Sequence, residues 1–279
     1  MDPARIAELL RPFLSPGPTS VGARIESPSS IVQPAFPSTA QLQDISTYID
    51  MLLRWNSRIN LTAVRSPEEI VSRHFGESFF AARHLFPPSR PIIPDTQTDQ
   101  KLVSSSQGKP RQTPDTAITG TAITNPHLST AIDVGSGAGF PGLPLKIWAP
   151  DIRLVLIESN HKKVAFLREV IRGLTLTDVN VFSGRAEDFV ANSPNPSTDN
   201  VVTLRAVERF QSVLPTAARL VNPGGRLALL IGHAQVSQAM KLIPSFDWQP
   251  PIVIPGSKER VLLVGHNGSL PAGSATEPS

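Results

Sequence analysis

The sequence contains no cysteine, a single tyrosine and six histidines among its 279 residues. The absence of thiols excludes disulfides, zinc–thiolate sites and cysteine nucleophiles, and the scattered histidines lack metal-ligand spacing, so no metal is expected. No apolar run approaches the roughly 18 residues that a membrane-spanning helix needs, and the first residues lack the order of a signal peptide. We therefore expect a cytoplasmic protein with no membrane partner.

The chain also has little excess charge. Its 26 Lys and Arg residues against 23 Asp and Glu residues give a net charge of +3. The isoelectric point of about 9.5 fits an anionic partner without requiring one. Many proteins without a nucleic-acid role are equally basic, so charge alone does not define a partner.

Residues 1–86 predict a helical N-terminal segment. Apolar residues at helical spacing predict a short helix within 2–14 and a longer one from Gln41 into "RWNSRINLTAV". A third helix is predicted over 66–86, because Ser66, Pro67 and Glu69 have a capping-box arrangement.

Three stretches have the composition of irregular chain. Residues 15–38 are dense in Pro, Ser and Gly and predict an irregular insertion. Residues 87–129 are polar and poor in aromatics, which predicts a flexible insertion because too little apolar surface is available to offset the ordering entropy. Residues 266–279 predict a flexible tail.

Residues 130–265 alternate short apolar runs with helical patterns. This alternation predicts an α/β domain with a parallel sheet and helices on both faces. The predicted strands are "TAIDVG", "IRLVLIES", "VNVFSG", "VVTLRA", "RLALLIG" and "ERVLLVG".

The segment "DVGSGAGFPG" (133–142) follows the first predicted strand and opens a helix. Glycine permits positive φ and close approach of a ligand to the backbone. The dinucleotide fingerprint G-x-G-x-x-G, counted from Gly135, requires glycine where Phe140 stands, which weakens a nicotinamide interpretation. The pattern D-x-G-x-G-x-G instead resembles motif I of class I S-adenosylmethionine-dependent methyltransferases. A tight strand-to-helix turn without a ligand is the alternative.

Two further positions suit a nucleotide-like ligand. Glu158 ends the second predicted strand, where a carboxylate can accept both ribose hydroxyls, or it is simply a solvated strand-end group. In "GRAEDF" (184–189), Glu187 and the amide of Ala186 can hold an adenine edge, or they cap the following turn.

In its ordered blocks the sequence resembles the RsmG family, also called glucose-inhibited division protein B, whose members methylate N7 of a guanine in 16S ribosomal RNA. The block "W-N-x-x-I-N-L-T" is more specific than the glycine loop, because generic methyltransferases lack it. The matching blocks are "LLRWNSRINLTAVRSPEEIVSRHF" (52–75), "DVGSGAGFPGLPLKI" (133–147), "ESNHKKVAFLREV" (158–170), "GRAEDF", "LRAV" (204–207) and "NPGGRLALL" (222–230).

The resemblance implies a Rossmann-like class I methyltransferase sheet, S-adenosyl-L-methionine as cofactor, and 16S rRNA or the small ribosomal subunit as partner of a monomeric enzyme. Carried over position by position, it implies that the cofactor contacts are Gly135, Phe140, Ala186, Glu187 and Arg205. Glu158 is added from its strand-end position. For Arg205, a salt bridge at the sheet edge is the alternative to a cofactor or RNA contact. No catalytic base is required, because guanine N7 already carries a nucleophilic lone pair.

Basic side chains in the N-terminal segment and on one helix are candidate RNA-backbone contacts, each of which is individually typical of a solvated face. These are Arg54, Arg58, Arg65, Arg73, Lys162, Lys163, Arg168 and Arg172. His74 either contacts RNA or packs beside Phe75. Asn56 and Asn60 are expected to bond the backbone of the following turn.

The chain departs from the family pattern at three positions. Gly76 and Glu77 replace a usual leucine and aspartate, and Ile231 replaces a usual lysine. A lost lysine weakens RNA or cofactor contacts, so a catalytically weakened relative that binds RNA or protein is a second hypothesis. A nicotinamide oxidoreductase, resting on the glycine loop alone, is a third.

Overall fold

The alternating second half of the chain folds into one mixed eight-stranded sheet. A computed structural model describes residues 1–15, 36–87, 129–192, 200–206 and 209–268, so most of the two predicted insertions and of the predicted tail lies outside the described residues. The strands are β1 Thr130–Val134, β2 Arg153–Glu158, β3 Val179–Ser183, β4 Asn200–Arg205, β5 Arg226–Gly232, β6 Phe246–Trp248, β7 Ile252–Val253 and β8 Arg260–Asn267.

The sheet has the order β3-β2-β1-β4-β5-β8-β6, with β7 also paired to β8. Neighbouring strands from β1 to β5 are parallel, which confirms the predicted parallel sheet for this part. The last predicted strand, β8, instead runs antiparallel to β5, and it extends to Asn267, two residues past its predicted end. The strand order reverses between β1 and β4, and in open α/β sheets this reversal forms a ligand crevice at the carboxyl ends of the strands.

All three predicted N-terminal helices form, and their caps follow the sequence. Ser38 and Gln41 make a complete capping box. At Ser66 the box is only half formed, because its hydroxyl accepts the Glu69 N–H but donates to the carboxylate of Glu68. The helices are α1 Pro3–Leu14, α2 Thr39–Asn56, α3 Pro67–Glu69, a π-helical turn Ile70–Gly76, α4 Glu77–Leu85, α5 Gly142–Trp148, α6 His161–Gly173, α7 Ala186–Asn192, α8 Phe210–Ala218, a 3-10 turn His233–Gln235 and α9 Val236–Leu242.

The two faces of the sheet bury separate hydrophobic clusters, as period-two alternation requires. Ala131 of β1 belongs to the cluster shared with α1, α2, α4, α5 and α6. Its neighbour Ile132 belongs to the cluster shared with α8 and α9. The N-terminal helices therefore pack directly on one face of the sheet, and all described residues fall in one compact unit.

Gly76, one of the departures from the family pattern, lies where α1 meets the π-helical turn. A Cβ at this position would lie 2.5 Å from Cε2 of Phe13. The glycine therefore makes room for the Phe13 ring, so the departure has a packing role. Among the described helices, none is both long and apolar enough to cross a bilayer.

Candidate functional site

The glycines of the loop between β1 and α5 serve two purposes. Gly137 has φ of +57°, and a Cβ there would face open space, with only the Gly135 carbonyl oxygen nearby at 3.8 Å. A Cβ on Gly139 would instead collide with the hydroxyl of Tyr48, and one on Gly142 would collide with Asp133. Gly137 thus leaves space for a ligand, while the other two glycines permit internal packing.

Asp133, the acidic residue that begins the motif, holds the loop from inside. Its carboxylate is 1 % exposed and accepts hydrogen bonds from Thr203 Oγ1 at 2.7 Å and from Gly142 N at 3.2 Å. Burial raises the pKa of Asp133 to about 6, against the lowering effect of these hydrogen bonds. Asp133 therefore joins β1, β4 and the start of α5, and its contacts are internal.

Glu158 lies where the sequence predicted, at the carboxyl end of β2, and is 7 % exposed. Its Oε2 accepts from Gly137 N at 2.8 Å and its Oε1 from Asn160 N at 2.7 Å. Each carboxylate oxygen has a further lone pair, so Glu158 is able to accept ribose hydroxyls while it holds the glycine loop. The Gly184 N–H donates to the Glu158 carbonyl oxygen at 3.1 Å. The glycine loop, the end of β2 and the turn before α7 are therefore hydrogen-bonded together.

Ala186 and Glu187 form the first turn of α7, beside this junction. Ala186 is buried, and N–H groups in the first turn of a helix lack an intrahelical acceptor. Glu187 is exposed, and its carboxylate accepts from Thr216 Oγ1 on α8 at 3.4 Å. The Ala186 N–H, in the first turn of α7, has no acceptor within its own helix, and an N–H of this kind is the donor that an adenine edge requires.

Phe140 faces the N-terminal helices. Its ring stacks on Tyr48 at a centroid distance of 5.4 Å and an angle of 4°, meets Phe75 edge-on and lies 4.8 Å from the His74 ring. The Tyr48 hydroxyl donates to the Ala138 carbonyl oxygen in the glycine loop. Sequence reasoning missed Tyr48, although this only tyrosine lies on the apolar face of α2 beside Ile45.

Arg205 ends β4 and is turned toward the same helices, with a side chain 9 % exposed. Its Nη2 donates to Glu77 Oε2 at 3.0 Å and to the Arg73 carbonyl oxygen at 2.7 Å. Burial lowers the pKa of Arg205, while Glu77 raises it. Arg205 therefore forms the salt bridge that was the alternative prediction, and its partner Glu77 lies on a helix and not on a strand.

Glu77 joins two cations. Its side chain is 5 % exposed, and its Oε2 lies 3.0 Å from Arg205 Nη2 and 3.1 Å from Arg260 Nη2. Arg260 begins β8 opposite Gly232 of β5 and was not assigned from the sequence, because only the strand pairing brings it here. Glu77 replaces the usual aspartate and therefore retains a carboxylate at this position. Ile231, which replaces the usual lysine, is buried, and the positive charge beside it comes from Arg260.

The "W-N-x-x-I-N-L-T" block positions His74. Asn56 accepts from the N–H groups of Leu61 and Thr62 and donates to the Thr62 carbonyl oxygen, which confirms its predicted structural role. Thr62 Oγ1 lies 2.8 Å from His74 Nε2, and Arg205 Nη2 lies 3.1 Å from His74 Nδ1. Because the guanidinium only donates, Nδ1 is the acceptor and Nε2 carries the proton. Burial and the nearby Arg205 lower the pKa of His74 to about 3.

The candidate RNA-binding cations are at the surface, with seven exposed and Lys163 partly buried. Arg54 on α2 lies 3.5 Å from Glu169 on α6, the helix that carries four of these cations. Arg54 therefore lies beside the α6 group.

A doubly wound sheet with an antiparallel strand beside β5, a glycine loop after β1 and a carboxylate ending β2 define a class I S-adenosylmethionine-dependent methyltransferase fold. The sequence profile of the GidB family, described as rRNA small subunit methyltransferase G, matches residues 41–93 and 110–246. The chain belongs to this family.

Individual relatives agree with this assignment. The chain is 33% identical over 231 residues to the ribosomal RNA small subunit methyltransferase G of Roseiflexus sp. RS-1, covering 80% of this chain and 82% of the relative. It is 32% identical over 201 residues to that of Desulfitobacterium hafniense Y51, covering 72% and 67%. Among solved structures, a predicted O-methyltransferase from Agrobacterium tumefaciens matches with 18% identity and a TM-score of 0.44, covering 53% of this chain and 77% of that one.

Proposed function

We propose that the protein transfers a methyl group from S-adenosyl-L-methionine to N7 of a guanine in 16S ribosomal RNA. The observation that carries the proposal is the hydrogen-bonded junction of the glycine loop, Glu158 and the turn before α7, in a chain of the rRNA small subunit methyltransferase G family. Relatives that cover most of the chain have this name.

The residues at the junction fit the proposed cofactor. Gly137 leaves open space beside the loop, and Glu158 retains lone pairs for two hydroxyls. We expect the Ala186 N–H to donate to a purine edge, with Glu187 beside it. When bound, S-adenosyl-L-methionine supplies an electrophilic methyl group on a sulfonium. The loop residues Gly135 and Phe140 would hold it through their backbone, because the Phe140 side chain is buried against Tyr48.

The chemistry asks for alignment more than for proton transfer. Guanine N7 offers a lone pair, so no side chain has to remove a proton from it. His74 keeps its proton on Nε2, directed at Thr62, and is therefore a positioning group for Arg205. Arg205 and Glu77 are both nearly buried and form an ion pair at the edge of the site. Their charged groups are therefore held in place and need not reorient during methyl transfer.

The proposed partner is 16S rRNA or the small ribosomal subunit. The exposed cations on α2, α6 and the π-helical turn are suited to phosphates, and binding through them is expected to weaken steeply with salt. The expectations of a monomer and of a cytoplasmic location belong to the same proposal, and sedimentation of the purified protein tests the first.

A methyl-transfer assay tests the function directly. The protein is incubated with labelled S-adenosyl-L-methionine and either 30S subunits or deproteinised 16S rRNA, and 7-methylguanosine is mapped. Absence of transfer to both substrates overturns the proposal. Cofactor binding without transfer would favour the weakened RNA- or protein-binding relative, and NADH binding without cofactor binding would favour an oxidoreductase.

A carboxylate variant tests the cofactor site separately. Glu158→Gln replaces two acceptor oxygens by one, so affinity for S-adenosyl-L-methionine is expected to fall about tenfold or more. Glu169→Gln is the matched control, because within the described part of the chain Glu169 pairs only with the exposed Arg54, so the substitution should leave the affinity unchanged. Equal affinities of the two variants would exclude Glu158 from the site.

A further inference from the structure

A small cavity of about 70 Å³ lies at the carboxyl ends of β4 and β5, beside Arg205. Its buried walls are apolar and come from Leu204, Phe210, Leu230 and Ile231. Its rim includes the exposed Ala206 and the partly exposed Gly232 and Gln235. The cavity therefore opens at the sheet edge that carries the glycine loop, but it is lined by none of the proposed cofactor contacts.

Arg260 supplies the only charge among the described residues that line this cavity. Its Nη2 donates to Glu77 at 3.1 Å and to the Leu230 carbonyl oxygen at 3.4 Å. Its Nε is buried and has no acceptor among the described residues. A buried N–H without an acceptor is unfavourable and uncommon, so a ligand oxygen at this position would satisfy it.

The cavity suits one edge of a planar base. Arg260 is the only charged residue among the described residues that line the cavity, whereas a phosphate normally takes several charged or N–H donors, and the volume is too small for a whole nucleotide. On guanine, the keto oxygen O6 lies beside N7 on the same edge, and it accepts hydrogen bonds. Adenine presents an amino group at that position, which would place a donor against the Arg260 donor.

We propose that Arg260 donates a hydrogen bond from Nε to O6 of the guanine whose N7 is methylated, and that the cavity receives this edge of the base. The inference rests on the proposed function and names the group that selects guanine. Arg260 is then a specificity-determining residue, while Glu77 orients it.

The shared carboxylate makes such a donor compatible with the reaction. Methyl transfer places positive charge on the guanine ring, which an unpaired guanidinium nearby would oppose. Glu77 lies 3.1 Å from Arg260 and 3.0 Å from Arg205, so its single negative charge offsets only part of the two positive charges while the N–H remains available. The positive field at N7 is thereby reduced but not cancelled.

The test uses three versions of the RNA, prepared by splinted ligation after the target guanine has been mapped. The target carries guanine, inosine, which keeps O6, or 2-aminopurine, which lacks it. We expect the unaltered protein to methylate guanine and inosine RNAs at similar rates, and Arg260→Lys to slow both by about tenfold or more. The same variant should change the 2-aminopurine rate by less than about twofold, because that RNA offers no O6 to lose. Comparison within each RNA cancels the intrinsic difference in N7 reactivity.

Lys258→Gln is the matched control, because Lys258 is an exposed cation two positions before Arg260 and should affect all three RNAs by one common factor. Thermal melting of each variant verifies folding, and the inosine comparison in the unaltered protein needs no variant. Equal losses on guanine and 2-aminopurine RNAs in Arg260→Lys would overturn the inference alone, as would rejection of inosine together with 2-aminopurine. Absence of transfer by the unaltered protein to guanine RNA would overturn the proposed function as well.

Discussion

Tyr48 donates a hydrogen bond of 2.5 Å to the carbonyl oxygen of Ala138, 90 residues further along the chain. Helix α2 thereby holds the glycine loop at Ala138, while Glu158 holds it at Gly137. Burial and the nearby Asp133 raise the pKa of Tyr48 well above its ordinary value, so the phenol remains a donor throughout the neutral range. The glycine loop is consequently shaped by the N-terminal helices as well as by the sheet.

Tyr48→Phe tests this support. The variant leaves a buried carbonyl unsatisfied, so the free energy of unfolding should fall by about 1–3 kcal/mol, with a parallel loss of affinity for S-adenosyl-L-methionine. Urea unfolding and calorimetry measure the two effects. Thr47→Ala, which changes the neighbouring, partly exposed side chain, should stay within about 0.5 kcal/mol of the unaltered protein. Unchanged affinity in Tyr48→Phe would show that α2 is irrelevant to the loop's binding geometry.

The glycine loop should respond differently at two positions. Gly137→Ala places a methyl group toward open space at a φ of +57°, so we expect an unfolding cost of about 1–2 kcal/mol but a large loss of cofactor affinity. Gly142→Ala drives a methyl group against Asp133 and Leu156, so it should mainly reduce stability. Melting temperature and calorimetric affinity separate the two outcomes. A larger stability loss in Gly137→Ala than in Gly142→Ala would contradict this assignment.

Glu77→Gln removes the carboxylate that forms ion pairs with both Arg205 and Arg260 among the described residues. It leaves a nearly buried guanidinium uncompensated, so the free energy of unfolding should fall by about 3–5 kcal/mol. Denaturant unfolding provides the measurement. Glu8→Gln, which breaks only the exposed pair with Arg5, should change stability by less than about 1 kcal/mol. Comparable effects of the two substitutions would mean that the Glu77 pairs contribute no more than surface pairs.

The free energy of unfolding should depend on pH because of His74. Its pKa is about 3 in the folded protein and 6.5 without the fold, so its contribution is complete above pH 6.5 and is lost as the pH falls toward 3. In His74→Gln, a neutral amide can still accept from Arg205 and donate to Thr62. The stability difference between the two proteins should therefore change by up to about 1.4 kcal/mol per pH unit between pH 6.5 and 4, against the unaltered protein.

Asp133 acts in the opposite direction. Its folded pKa is raised to about 6, so its contribution to stability increases as the pH falls from 6 to about 4. This contribution is common to both proteins and cancels in the comparison. Denaturant unfolding at several pH values supplies the data, and a pH-independent difference would show that folding does not lower the pKa of His74.

The sequence predicted the elements whose periodicity is long and regular. Helix α6 and strands β1 to β5 have apolar patterns that tertiary contacts reinforce. Strands β6 and β7, of three and two residues, were missed because such short edge segments carry no period. The antiparallel direction of β8 could not be predicted from the sequence either, because an apolar run does not indicate in which direction a strand pairs.

The candidate site divides in the same way. Glu158 and Ala186 could be placed from the rule that ligands lie at the carboxyl ends of strands. The environment of Arg205 could not, because Glu77 is separated from it by 128 positions and only helix packing unites them. Arg260 depends on the insertion of β8 beside β5, and its neighbourhood is therefore set by topology rather than by any local motif.

The antiparallel pairing of β8 with β5 affects the order in which the site is assembled during synthesis. Glu77 is made early and Arg205 follows in β4, but Arg260 joins them only after β8 has paired with β5. During synthesis the chain therefore passes through lengths at which the glycine loop, Glu158 and Arg205 are already present and the cavity still lacks its cation. A ribosome that releases the chain before residue 260 would produce the loop and the proposed cofactor contacts without the group proposed to distinguish guanine from adenine.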